Sequence, residues 1–319
     1  MLTANILIIG GSYFAGRSLV EFLVKEKKGN IHTFNRGNIP LNIKGVTQFH
    51  GDRTSPDSMR KNLPPAGWDA VIDFCGYSAE DIESAIQGIP GTIRHYIFVS
   101  TASVYDHSAM PPLDETSKIL SNSPPEPGDH VEYVLGKIRA EENLRRLCGK
   151  SAIPWTILRP SILYGKFNYA QRETYFFDLM EKEAPVVIPE QNPALFNFIF
   201  VEDLSAIIAL CINNKKVYDR IFNTVSPELV SYRKFVEILE TISGKTIKII
   251  EKSVRTIMEE KIPLPFTMEH HEVYSGDQLQ QALGFKFTPL IRGMKKTYEF
   301  YQYLREKNKK EREQHNGRV

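Results

Sequence analysis

The chain has 319 residues, 42% of them hydrophobic, with 40 basic against 38 acidic side chains and a formal net charge of +2. That length buries a large core, as one big domain or two smaller ones, while the balanced charge gives no basic field for nucleic acid. Three scattered cysteines, Cys75, Cys148 and Cys211, exclude a disulfide framework or a cysteine zinc cluster and imply a reducing, cytoplasmic setting. No apolar run approaches the length of a membrane span, and the first one is strand-length and ends in glycines, unlike a leader.

Asn5 to Ile9 reads as a buried parallel strand, and the turn Gly10-Gly11-Ser12-Tyr13-Phe14-Ala15-Gly16 opens an amphipathic helix running to Lys25. Gly10 and Gly11 permit a sharp turn that brings backbone amides near a pyrophosphate. Gly16 lets the helix lie close to the strand, with its N-terminal dipole toward the anion. Ile31 to Phe34 is the second strand, ending at Asn35-Arg36. Val46 to His50 is the third, followed by Gly51-Asp52-Arg53 and a short helix begun by Ser55-Pro56-Asp57. Asp69 to Phe74 is the fourth strand, leading into Cys75-Gly76, and Ala79 to Gln87 is a helix. Arg94 to Ser100 is almost continuously apolar, as in a strand covered on both faces. Strands and helices alternating at this spacing predict an α/β fold, a Rossmann-type doubly wound parallel sheet with right-handed crossovers.

Residues 106–129 interrupt the rhythm with Pro111-Pro112, Pro124-Pro125 and Pro127-Gly128, predicting a surface loop. A helix over Val131 to Cys148 follows, then a strand from Trp155 to Leu158 and a turn at Arg159-Pro160. Beyond Gly165 the pattern is irregular: a strand over Phe198 to Val201, helices over Asp203 to Cys211 and Leu229 to Gly244, and a strand over Thr246 to Glu251. Helical segments over Gly276 to Gly284 and Pro289 to Arg305 close the chain. The expected organisation is a dinucleotide-binding domain over 1–164, to which 197–225 returns. A smaller discontinuous C-terminal substrate lobe takes 165–196 and 226–305, and 306–319 forms a flexible tail.

Tyr133 and Lys137 lie one turn apart on one helix face. A cation beside a phenol favours its ionised form, which suits Tyr133 to acid/base work. Tyr303 and Lys307 share the spacing, but the terminal helix makes a solvated face of them. Tyr133 instead follows the fifth strand and its loop, at the carboxyl edge where α/β sheets bind ligands. The strand end Ser100-Thr101-Ala102-Ser103-Val104-Tyr105 offers hydroxyls to hold a substrate oxygen; the bland alternative is ordinary capping of backbone groups.

The glycine turn, the Ser-Thr-Ala-Ser-Val-Tyr strand end, the Tyr133/Lys137 pair, and Leu158-Arg159-Pro160 with Tyr164-Gly165 together resemble the extended short-chain dehydrogenase/reductases, including the NAD-dependent epimerase/dehydratase group acting on sugars. The resemblance runs from residue 4 to about residue 300. It takes in Phe198-Ile199-Phe200-Val201-Glu202-Asp203-Leu204 and the segment from Gly276-Asp277-Gln278-Leu279 to Leu283-Gly284-Phe285. It implies Tyr133 as general acid/base, Lys137 as ligand of the nicotinamide ribose that lowers the Tyr133 pKa, and Thr101 as the catalytic hydroxyl. It implies Gly10, Gly11 and Gly16 at the pyrophosphate, with Tyr13 and Phe14 in the same turn. Asp52 and Arg53 would flank adenine, Cys75 and Gly76 the ribose side, and Pro160 the nicotinamide.

The chain also departs from the pattern. NAD-preferring relatives end the second strand in Asp, whereas Asn35-Arg36 stands here, which favours a 2′-phosphate and NADP(H), with NAD(H) the alternative. Ala102-Ser103 replaces the Asp-Glu that follows the catalytic Thr in 4,6-dehydratases, which argues against dehydration. Phe196 stands where many epimerases carry a diphosphate-binding Arg. Tyr13 and the Asn35-Arg36-Gly37 run resemble a divergent Gly-Gly-x-x-Phe-x-Gly branch. The resemblance therefore implies NAD(P)-dependent oxidoreduction at a carbinol/keto carbon of a sugar or nucleotide-sugar-like small molecule, by an epimerase or ketoreductase. The alternative is a non-catalytic NAD(P)-binding sensor on the same fold. No nucleic-acid or membrane partner is expected. A homodimer through the helices at Ala79 to Gln87 and Val131 to Cys148 is implied. His270-His271 reads as a solvent-facing pair or a reach toward substrate, with no metal site.

Overall fold

The computed structural model describes residues 4–121, 129–191 and 194–316. Seven parallel strands form the central sheet in the order Arg220–Thr224, Trp155–Pro160, Tyr96–Val99, Ala70–Asp73, Asn5–Ile9, Asn30–Asn35, Val46–His50. The direction of succession reverses at Asn5–Ile9, whose Ile9 lies beside Phe34 on one side and Asp73 on the other. In such a sheet the crevice beyond that reversal receives the ligand.

Alternation along Asn5–Ile9 shows why both faces are covered. Ile6 and Ile8 point into a cluster with Leu19, Val20 and Leu23 of the helix Phe14–Lys25 and Leu204, Ile207 and Ile208 of the helix Val201–Cys211. Leu7 and Ile9 point the other way, toward Met59 of Pro56–Asn62, Ile82 and Ala85 of Ala79–Gly88, and Ala140 and Leu144 of Asp129–Ser151. This is the doubly wound α/β fold that the alternation of elements predicts.

Two carboxylates buried inside this frame are each held by several hydrogen bonds. Asp73, fully buried, accepts from Arg53 Nη2 at 3.0 Å, the Tyr96 hydroxyl at 2.7 Å and the Cys75 backbone N–H at 2.8 Å. Glu141 accepts from Arg159 Nη2 at 2.6 Å, Arg159 Nε at 3.0 Å and the Ser100 hydroxyl at 2.6 Å. Arg159 Nη1 also donates to the Tyr105 hydroxyl at 2.9 Å, which donates to Asn223 Oδ1 at 2.6 Å. Strand and helix are thereby locked across the sheet.

Several boundaries differ from expectation, each for a local reason. Arg159-Pro160 is not a turn: the strand runs through Pro160, because Arg159 sits in register with Asn223 and its guanidinium is satisfied inside. The expected strand at Phe198 to Val201 is Phe196–Phe200. It joins a separate three-stranded sheet with Ile162–Tyr164 and Leu229–Val230, so only the following helix and Arg220–Thr224 return to the main layers. The helix expected from Leu229 starts at Tyr232, where Ser231 caps it by accepting from the Lys234 N–H. A parallel pair, Ala66–Trp68 with Gly91–Ile93, was too short to leave a periodic signature. Leu290–Asn316 stays helical well past Glu306, where a flexible tail was expected, with ion pairs such as Lys307–Glu311 along its face. The proline-rich stretch 122–128 lies outside the described residues.

The remaining segments form an aromatic-rich second core in which Phe176, Phe196, Phe198, Phe235 and Phe266 meet. It also holds the parallel pair Val186–Pro189 with Ile249–Lys252. Among the described residues no helix is long and apolar enough to cross a membrane.

The paired buried charges generate a stability prediction. Glu141→Ala leaves the Arg159 guanidinium uncompensated and should cost about 3–5 kcal/mol in urea unfolding. A loss below about 1 kcal/mol, the scale of a surface pair, would show that the ion pair is not the clamp it looks to be.

Candidate active site

The carboxyl ends of the strands converge on one cleft. The turn after Asn5–Ile9 is shaped by Gly10 and Gly11, at φ +102° and +88° in the left-handed region that glycine tolerates. A Cβ on Gly10 would sit 2.9 Å from Cys75 Sγ, and one on Gly16 only 2.6 Å from the Gly11 nitrogen. The backbone therefore forms a cradle without side chains at the start of Phe14–Lys25, a surface suited to the pyrophosphate of a dinucleotide. Phe14 itself takes φ +35°, an uncommon conformation for a bulky residue, held by burial in the second core. Tyr13 is half-exposed and stacks on Tyr169 at 5.0 Å between ring centroids, so the turn reaches the second lobe directly.

At the ends of the next two strands, Asn35 Oδ1 accepts from the Gly37 N–H at 2.8 Å and lies 3.3 Å from His50 Nδ1. Its Nδ2 is buried without a partner. Arg36 is exposed beside Asp52. The Asp52 carboxylate accepts from the N–H and hydroxyl of Thr54, which hold its pKa down. Arg53 is not free to flank adenine, contrary to expectation. Its guanidinium pairs with Asp73, lies 3.7 Å from Asp81 and donates to the Asp81 carbonyl at 2.7 Å. Burial pushes the Cys75 thiol up to about 11, so it stays neutral against the glycine turn. Gly76 packs where a Cβ would meet the Phe98 ring at 2.8 Å, and Pro160 is buried at the end of its strand.

Tyr133 and Lys137 project from Asp129–Ser151 at the cleft. Tyr133 is 38% exposed, so a ligand can reach its phenol, whereas Lys137 is 2% exposed. The Lys137 ammonium donates to the Val99 carbonyl at 2.9 Å and lies over the rings of Phe98 at 4.7 Å, Tyr77 at 4.9 Å and Tyr133 at 6.0 Å. Burial lowers its pKa to about 8, against the pull of Asp73.

The expectation that Lys137 depresses the Tyr133 pKa needs correction. Burial raises the phenol above its ordinary value, Tyr169 adds to this, and the opposing influences are Arg172 and a hydrogen bond with Thr101. Thr101 Oγ1 also accepts from the Ser103 N–H at 3.2 Å, so the capping and substrate-holding readings of this hydroxyl coexist.

The structure brings together residues that no spacing in the chain connects. Tyr169 and Arg172 approach Tyr133 from the second lobe, while His130, one turn earlier on the same helix as Tyr133, places its ring 6.4 Å from the Tyr133 ring. His107 meets His270, with centroids 4.8 Å apart, and Glu272 joins them. The tandem histidines divide: His271 Nδ1 accepts from the Leu195 N–H at 3.1 Å as a structural contact, while His270 faces His107. Only the residue types could have flagged these positions.

Comparison with known proteins agrees with this architecture. Residues 82–224 match the model of the NAD dependent epimerase/dehydratase family. The chloroplast stem-loop binding protein of 41 kDa b from Arabidopsis thaliana is 28% identical over 242 residues, 72% of this chain and 60% of the relative. The 2′-dehydrokanamycin reductase of Streptomyces kanamyceticus is 21% identical over 248 residues, 76% of this chain and 68% of that one. The chain thus spans only about three-fifths to two-thirds of these relatives. The structure of UDP-glucuronic acid 4-epimerase from Bacillus cereus, in complex with UDP-glucuronic acid and NAD, superposes with a TM-score of 0.72 at 17% identity, covering 94% of this chain and 99% of that one. The segment that matches this family's model thus lies within a doubly wound α/β fold with a glycine cradle at its switch point.

Proposed function

We propose that this protein is an NAD(P)-dependent oxidoreductase acting on a sugar or nucleotide-sugar-like substrate, as an epimerase or ketoreductase. The observation that carries the reading is the reachable Tyr133 phenol, hydrogen-bonded with Thr101 beside the buried Lys137, at the same strand ends as the glycine cradle. The main sheet and its helices, to which the helix Val201–Cys211 and the strand Arg220–Thr224 return, hold the dinucleotide, and the lobe built on the aromatic second core faces the substrate. A bound nicotinamide dinucleotide supplies hydride exchange with the reacting carbon.

The chain's own groups handle the oxygen on that carbon. Burial keeps the Tyr133 phenol protonated at neutral pH, ready to donate to a carbonyl oxygen. Thr101 and Arg172 stabilise the phenolate left behind, and Thr101 orients the substrate oxygen against it. Lys137 keeps a positive charge beneath the site, held by the Val99 carbonyl and the surrounding rings. No acidic pair follows Thr101, so elimination of water is not part of the reading.

Asn35 and Arg36 favour NADP(H). The unpartnered Asn35 Nδ2 and the exposed Arg36 guanidinium are donors without acceptors of their own, which suits a 2′-phosphate better than a 2′-hydroxyl. The family resemblance further implies a dimer through Ala79–Gly88 and Asp129–Ser151, for which sedimentation is the check. The plant relative's name raises nucleic-acid stem-loop binding, but a net charge of +2 gives a weak counterion-release drive for it.

Two outcomes are expected. Tyr133→Phe should abolish turnover, assayed over UDP-sugars and keto sugars, while dinucleotide affinity measured by fluorescence titration stays nearly unchanged. Activity surviving in that variant would remove Tyr133 from the chemistry, and a wild type that binds dinucleotide but turns nothing over would favour the sensor. Arg36→Ala should weaken NADPH binding about tenfold or more while leaving NADH binding almost untouched, since a hydrogen bond to a charged group is worth about 1.5–3 kcal/mol. Equal losses for both nucleotides would reduce Arg36 to stacking on adenine.

A further inference from the structure

We propose that His107, His270 and Glu272 form a site for one zinc-class divalent cation at the substrate-facing rim of the cleft. One donor atom from each residue lies within 4.8 Å of the others, and His270 Nε2 is 3.8 Å from Glu272 Oε1. Two imidazoles and one carboxylate form a donor set suited to zinc and its neighbours rather than to magnesium or calcium. Three protein donors leave a fourth tetrahedral position for water or a substrate oxygen.

The second observation is an orphan. His107 Nδ1 is buried from solvent and has no hydrogen-bond partner, a condition that costs stability unless something else satisfies the atom. A His270–Glu272 ion pair would account for two of the three residues and would leave this nitrogen unexplained.

The backbone pre-positions all three. The Leu113 N–H donates to the Val273 carbonyl at 2.8 Å, and the Ser275 N–H donates to the Leu113 carbonyl at 2.9 Å. This short parallel ladder ties the His107 loop to the 270–275 segment. Glu272 is fixed from the other side, its N–H donating to the Leu195 carbonyl at 2.9 Å and its carbonyl accepting from the Asn197 N–H at 3.3 Å. The His270 turn is closed by the Thr267 hydroxyl, which donates to the His270 carbonyl at 3.0 Å. Tetrahedral donors around zinc lie about 3.4 Å apart, so the widest separation must close by roughly 1.4 Å. The His270 side chain, 43% exposed, has the freedom to make that movement.

The site borders the chemistry. His130 neighbours both His107 and Glu272, Arg172 neighbours Glu272, and both also lie beside Tyr133. A cation here, with Arg172 and His130, would draw an oxygen-rich or anionic part of a substrate toward the Tyr133 side of the cleft.

The test is a Co²⁺ titration of the tag-free, full-length protein after chelator treatment, followed by visible ligand-field absorption and competition with Zn²⁺. Saturation at one equivalent and displacement by Zn²⁺ are expected. His107→Ala, His270→Ala and Glu272→Gln should each weaken binding by about tenfold or more, since even outer-shell changes at metal sites cost that much. Should His107→Ala fail to fold, as judged by circular dichroism, the other two variants alter partly exposed side chains and carry the decision. Absence of saturable binding, or a titration indifferent to these substitutions, overturns the proposal.

Discussion

The architecture of the cleft depends on the buried pair Glu141–Arg159, whose side chains are only 3% and 1% exposed. Two charges so placed are tolerable because each makes several hydrogen bonds, Glu141 with Arg159 and Ser100, Arg159 with Glu141 and Tyr105. Glu141 stands one turn beyond Lys137, which stands one turn beyond Tyr133, so the three share one stripe of Asp129–Ser151. Holding Glu141 against the sheet fixes the rotation of the helix, and the rotation presents Tyr133 to the cleft. Through Tyr105 and Asn223 the same network anchors the loop after Tyr96–Val99 and the edge strand Arg220–Thr224. One ion pair thus aligns four elements.

A second buried carboxylate organises the floor. Asp73 gathers Arg53, Tyr96 and the Cys75 amide at the switch point, and its charge also acts on Lys137. Lys137 lies buried among aromatic rings with the Val99 carbonyl as its hydrogen-bond acceptor, and this burial lowers its pKa to about 8. Such a group is poised by desolvation rather than by a partner carboxylate in contact. The cradle of glycines is the complementary device: an absence of side chains at the start of the first helix, where added Cβ atoms would collide with Cys75 and with the turn's own backbone.

The second lobe completes the cleft by contacts that cross between layers. Tyr13 of the glycine turn stacks on Tyr169, and Lys166 pairs with Glu21 of the first helix. The short ladder between the His107 loop and the 270–275 segment makes another crossing. These seams bring Tyr169 and Arg172 beside Tyr133 and set the His107/His270/Glu272 cluster near Arg172 and His130.

Much of the fold was legible in the residues. Apolar runs of strand length, glycines after the first strand and the alternation of elements determine a doubly wound sheet, because each signal is local and repeats with a fixed period. The Tyr133/Lys137 pair and Thr101 were legible for the same reason, as spacings on one helix and one strand end. The place of Arg53 was not, because pairing with Asp73 rather than reaching a ligand is settled 20 residues away across the sheet. Nor was the extension of the strand through Pro160, which depends on a guanidinium finding Glu141 on another element. The meeting of His107, His270 and Glu272 is the extreme case: local pattern carries information over a few turns, whereas this cluster arises where two distant segments pair backbone to backbone. The sequence by itself determined the layers and the helix and strand ends that carry the candidate residues. The tertiary structure alone decided which charges are bound inside and which groups face one another across the cleft, since burial and long-range pairing exist only once the chain has closed.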